Sequence, residues 1–346
     1  MRAVVKALPA VLVLAVLAYL PYVAQTVPGL LPDRVNGPGS LQLLAVCLTM
    51  AGIALSYDVL FGRTGLLSFG HALFVAAGSY FLTMSMASWS LPLWLAALLG
   101  LAGTTLLALV VGAISLRVGG IAFAMVTLAF AQAASIIVLR NPGDATGGEE
   151  GKALTRSGVP DLLVGVANAP YRYWLALGFL VVAWCAVTWL IRSRAGHAMA
   201  AVRENEPRAA VLGVDTYRTK LLAVVVGAFI GGLGGVVHAV VLGGSNPHIT
   251  TPEFTLSLLV MVVLGGAGSR WGAVLGGFLY TYADARLVEL SATSAFAGLP
   301  DGLRAVLSQP LFILGLLFIL VVYFAPAGLT GLASRRRLFI RRKETP

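Results

Sequence analysis

Apolar runs of near-constant length return along the whole chain, separated by short polar breaks, and no other feature limits the fold as sharply. A helix rises 1.5 Å per residue, so about 20 apolar residues cross the roughly 30 Å hydrocarbon core of a bilayer. Runs of this kind occupy residues 8–24, 41–61, 68–87, 93–116, 118–139, 173–191, 221–242 and 274–290, with a shorter one at 311–324. A further run, 254–264, has only eleven apolar residues; it must reach back toward Pro247 or belong to a broken helix. In lipid, every backbone N–H and C=O has to be satisfied within the segment, which for open chains means helix. The expectation is an all-α, polytopic transmembrane bundle of about ten spans, some short or broken. Composition agrees: 58% of residues are hydrophobic and 11% charged, against a charged share of about 25% in soluble domains.

The 40 glycines fit the same picture, because small residues let helix backbones approach when lipid supplies no hydrophobic drive between them. Residues 227–235, GAFIGGLGG, make one helix face almost wholly glycine and alanine. The N-terminal MRAVVKALPAVLVLAVLAYLPYVA has the outline of a signal peptide, but no small-x-small cleavage site closes it, and it is read as a retained first span.

The net charge of +10 invites a nucleic-acid reading that its placement argues against. Basic residues lie in loops and in a tail, as the positive-inside rule requires. With a cytoplasmic N-terminus and ten alternating spans, 17 of the 24 basic residues fall on the cytoplasmic side. Two polar segments then lie on opposite faces: 140–172 outside and 192–220 in the cytoplasm. The division expected is a membrane domain over 1–334 and a basic cytoplasmic tail over 335–346.

Segment 192–220 carries six basic and three acidic residues, and its second half has marked helix ends. Asn205 suits an N-cap, Pro207 is tolerated only in a first turn, and Gly213 suits the left-handed residue that ends a helix, so a short helix is predicted over 206–212.

Reactive chemistry is sparse. There is no HExxH, CxxC or GxSxG, Cys47 and Cys185 lie apart in apolar runs, and the four histidines are scattered. TGGEEGKA at 146–153 is no P-loop, since Thr146 stands where the first glycine belongs and Ala153 where Ser or Thr must follow the lysine. No metal site is expected. Charges within spans are few; Asp58 and Asp284 are the candidates for an ion-coupling site, and Gln132 for a polar contact inside the membrane. Glycine-rich interruptions at 62–72 and 263–272 fit either interfacial turns or broken helices whose N-termini could face a substrate carboxylate, whereas 116–120 reads as a turn.

Six blocks carry a resemblance: LSYDVLFGRTGLLSFGHALFVAAGSY, RVGGIAFAMVTLAFAQ, TGGEEG, SRAGHAMAAVRENEPRAAVLGVDTYRTKLLAVVVGAFIGGLGG, VVLGGAGSRWGAVLGG and FAPAGLTG. In this order they resemble the LivM-like permeases of bacterial branched-chain amino acid ABC importers, over residues 41–332. The resemblance implies a transport subunit, not an enzyme, with no cofactor of its own because ATP-Mg is bound by partners. Those partners are a second permease in a heterodimer, two cytoplasmic ATPases and an extracytoplasmic binding protein, around an inner-membrane chain with both termini cytoplasmic. It implies that 206–213 is the counterpart of the EAA loop that docks on the ATPase. Glu206, Ala209, Ala210 and Gly213 match its pattern, and Arg203 and Glu204 precede them. Pathway candidates are Ser68, Gly70, His71, Thr127 and Gln132. The same branch includes permeases for urea and short amides. An autonomous ion-coupled transporter or channel using Asp58 is the reading from a different class.

Overall fold

The computed structural model describes residues 13–26, 31–292, 309–324 and 328–331. The first twelve residues and the tail expected at 335–346 lie outside the described residues. Within them the chain is an all-α bundle. Its helices are α1 (Val13–Tyr22), α2 (Pro38–Asp58, continued by a π-helical turn, Val59–Thr64), α3 (His71–Trp89), α4 (Leu93–Ser115) and α5 (Ile121–Arg140). After a long connection come α6 (Ala169–Arg192), α7 (Arg194–Glu204), α8 (Glu206–Val211) and α9 (Thr216–Leu242). The series closes with α10 (Pro252–Gly265), α11 (Arg270–Ala292) and α12 (Pro310–Phe324). By length and apolarity six of these can cross a membrane: α2 with its π turn, α3, α4, α5, α6 and α9.

α2 and α9 form the centre. α2 packs against α6, α9 and α11, and α9 packs against α3 and α4. Glycine makes this possible through backbone-on-backbone contact. A Cβ at Gly235 of α9 would lie 1.9 Å from the carbonyl oxygen of Val75 in α3, and one at Gly276 of α11 would lie 1.9 Å from that of Met261 in α10. α4 and α5 ride outside, with apolar faces turned outward.

The connections segregate to two ends. At one end the α2–α3 connection, the α4–α5 turn, the α7–α8 pair and the α10–α11 loop come together. At the other, Lys152–Ala153 from the α5–α6 connection pairs antiparallel with Gly244–Ser245 after α9. TGGEEG is a closed turn there: Asn141 Oδ1 accepts from the N–H groups of Thr146 and Gly147, each at 2.9 Å.

Several boundaries differ from those read in the sequence. α9 begins at Thr216, because Asp215 caps it by accepting from Arg218 N at 3.0 Å, so the last residues of 192–220 are helical. α6 likewise begins at Ala169, inside the expected 140–172 loop. The short eighth run extends back only to Pro252; a separate 3-10 turn, Pro247–Thr250, precedes it.

Candidate functional site

Two helices, not one, make up the polar segment after α6. α7 is capped by Ser193, whose Oγ accepts from Gly196 N at 3.2 Å, and it buries Met199 and Val202. Asn205 ends α7 and starts α8: its backbone is extended (φ −160, ψ 100) and its Oδ1 accepts from Arg208 N at 2.9 Å. Pro207 falls in the first turn of α8, where its missing N–H costs nothing. Gly213, at φ 87, closes the helix, with its own N–H on Ala210 O and that of Val214 on Ala209 O, both at 3.0 Å. The expected helix is therefore present one residue shorter, and α7 is an addition to it.

The six residues singled out around it have different surroundings. Ala209 is buried, and Glu206 forms an ion pair with Lys220 of α9. Glu204, Ala210 and Gly213 are exposed. Arg203 is exposed as well, but its guanidinium donates to the carbonyl of Gly62 in the π turn. The two residues between Ala210 and Gly213 went unremarked in the sequence: Val211 is 88% exposed and Leu212 76%. These are apolar side chains that open on an otherwise polar segment. Their signal was there to read, as an apolar pair in a charged stretch beside the helix-ending glycine.

A second cluster forms where α3 starts. After Gly65 (φ 74) the chain runs non-helically to Gly70 before α3 begins at His71, not at Ser68 as the apolar run suggests. This start is deep in the bundle: a Cβ at Gly231, near the middle of α9, would lie 3.0 Å from His71 Nε2. The N–H groups that a helix start leaves free must find partners, and hydroxyls supply them. Thr127 Oγ1 accepts from Phe69 N at 3.2 Å, Ser68 Oγ from Gly70 N at 3.2 Å, and Thr255 Oγ1 from Ala72 N at 2.9 Å. His71 Nε2 lies 2.9 Å from Ser56 Oγ, and its ring stands edge-on to Tyr57 at 5.3 Å. Ser68, Gly70, His71 and Thr127 are thus brought together and buried, joined by Ser56, Tyr57 and Thr255, which sequence reasoning missed. Thr255 could not be found, since it lies 183 residues from its partner.

Gln132 does not join them. It sits on the outward face of α5 with the exposed Met125 and Ile136. An amide on the outer face of an apolar helix is costly against lipid and is commonly satisfied by another helix. Asp58 is fully buried; Oδ1 accepts from Gly268 N at 2.7 Å and Oδ2 lies 3.7 Å from Arg63 Nε. A crevice of about 480 Å³ separates the α4–α5 turn from α7 and α8, with Gly119, Gly120, Arg203, Glu206 and Lys220 on its walls. Among the described residues no group of three or more His, Cys, Asp or Glu is placed to hold a metal.

Comparison with known proteins adds the following. Residues 39–323 match the family described as branched-chain amino acid transport system / permease component. The high-affinity branched-chain amino acid transport system permease protein LivM of Salmonella typhimurium is 30% identical over 267 residues, covering 70% of this chain and 62% of that protein. LivM of Escherichia coli K12 is 28% identical with the same coverage. The permease protein LivH of Salmonella typhimurium is 30% identical over 251 residues, 68% of this chain and 81% of LivH. The chain therefore spans 62% of the length of the LivM relatives it matches.

Proposed function

This chain belongs to the branched-chain amino acid transport permease family, and from that premise we propose that it is one membrane subunit of an ATP-driven importer for branched-chain or other hydrophobic amino acids. It works as a heterodimer with a second, related permease, in the bacterial inner membrane, with both termini in the cytoplasm. Two ATPase subunits dock on the cytoplasmic face, and an extracytoplasmic binding protein delivers substrate to the opposite one. The permease does no chemistry; it alternates access as the ATPases close and open.

The observation that carries this reading is α8. A six-residue helix is too short to be stable alone, yet this one is held by an N-cap, a left-handed glycine and the Glu206–Lys220 ion pair, and it holds Val211 and Leu212 out into the open. Such an element suits a partner that pushes. Glu204, Ala210 and Gly213 share the exposed surface and form the rest of the ATPase contact, with Glu206 and Ala209 holding the helix in place behind it.

The pathway candidates divide into two roles. Gln132 faces the second permease across α5 and lines the route between the subunits. Ser68, Gly70, His71 and Thr127 hold the break before α3 behind it, so that the start of α3 can shift as the route opens. Asp58 is engaged by Gly268 and Arg63, which favours a structural part over ion coupling.

Uptake in proteoliposomes tests the reading. The chain reconstituted with its second permease, ATPases and binding protein should accumulate labelled leucine only when ATP is inside the compartment the ATPases face. Uptake by this chain alone, driven by a proton or sodium gradient without ATP, would establish the ion-coupled alternative instead.

A further inference from the structure

Arg203, an exposed residue in the last turn of α7, carries its guanidinium back to the π turn that follows α2. It donates to Gly62 O, 141 residues earlier in the chain, while its stem lies over Gly65, where a Cβ would sit 3.2 Å from Arg203 Cγ. Gly62 is itself locked: a Cβ there would fall 1.8 Å from Asp58 Oδ1 and 2.4 Å from Gly268 N. Gly268 stands at φ 82, with space for a side chain closed by the Arg203 guanidinium at 2.7 Å and Gly62 O at 2.9 Å. Three parts of the bundle therefore meet at one point. They are the end of α2 through Asp58 and Gly62, the α10–α11 loop through Gly268, and the last turn of α7 through Arg203.

We propose that Arg203 is the grip by which the α7–α8 pair moves the bundle. A push on α8 reaches α7 through their shared residue Asn205, passes from Arg203 to the Gly62 carbonyl and so to α2, and crosses by the Asp58–Gly268 bond to the α10–α11 loop. Arg203 is thus a positioning residue that touches neither substrate nor nucleotide. The geometry suits a rigid relay, since neither glycine has space in which to yield. Lysine could supply the charge but not the planar guanidinium. The proposal rests on the reading of α8 as the ATPase contact.

The test uses the assembled complex and, separately, the full chain in detergent. Arg203→Ala should keep both ATPases bound and keep ATP hydrolysis near the wild-type rate, while leucine uptake per ATP falls about tenfold, the order expected on losing a charge-assisted hydrogen bond. Arg203→Lys should recover part of that loss. In the chain alone, Arg203→Ala should speed amide hydrogen exchange at residues 59–70 and 266–270, whereas Glu204→Ala, at an equally exposed neighbour, should not. If Arg203→Ala releases the ATPases and leaves exchange at those residues unchanged, the residue is a docking contact and the proposal fails. It also fails if uptake per ATP stays at the wild-type level. A wild-type chain that retains no ATPase would instead sink the functional reading beneath it, an outcome recognisable before any variant is made.

Discussion

Gly62 and Gly213 stand at the two ends of the same polar machinery and have opposite surroundings. Around Gly62 the backbone of the α10–α11 loop and the carboxylate of Asp58 leave no space for a single added carbon. Around Gly213 nothing lies within 4 Å of where that carbon would be, and the neighbouring Val211 and Leu212 are exposed. Glycine is required at both, for different reasons: at Gly62 by close approach, at Gly213 by a left-handed φ of 87. The first position is filled by this chain, and the second is open. A device that takes a push from outside and delivers it inside needs both kinds of surface, joined by something stiff.

This contrast can be broken by substitution. The largest effect is expected at Gly62→Ala, where the new methyl overlaps Asp58 Oδ1 and Gly268 N. Core overpacking against backbone costs about 1–3 kcal/mol or more, so thermal unfolding in detergent should shift strongly downward and the yield of folded protein should fall. A Gly62→Ala protein as stable as wild type would mean that the junction is loose. Smaller, and confined to one helix end, is the expected effect of Gly213→Ala. Only the left-handed conformation is penalised there, by roughly 1–2 kcal/mol, and the cost falls on the end of α8 while the melting of the bundle stays unchanged. If instead that variant unfolds like Gly62→Ala, the open surface around Gly213 is occupied within the chain after all.

Legibility in the sequence followed the range of the force involved. The all-α bundle could be read because bilayer thickness imposes a length on every apolar run, whatever the packing. The count could not: among the described residues six helices, not about ten, are long and apolar enough to cross. α8 could be read because its ends are set locally, by Asn205, Pro207 and Gly213, within a few residues of one another. α7 could not, since Met199 and Val202 are its only buried residues and its stability comes from what it lies against. Hydropathy puts the start of α3 at Ser68, since it does not distinguish apolar helix from the apolar non-helical segment before His71. The direction of Arg203 was hidden for a different reason. Its sequence neighbours Glu204 and Glu206 suggest a surface role, and the carbonyl it holds belongs to a loop brought near only by the fold. Val211 and Leu212 were visible all along, but residue type alone does not separate an apolar pair that packs from one that waits for a partner.

The claim that α8 is the surface on which a motor docks can be tested directly with a photo-crosslinking residue at position 211, in the complex with its ATPases, against a control at Phe229 on an exposed face of the apolar span α9. The account predicts an adduct with the ATPase from position 211 and none from position 229. Adducts from 211 with lipid or with the second permease, and none with the ATPase, would contradict it.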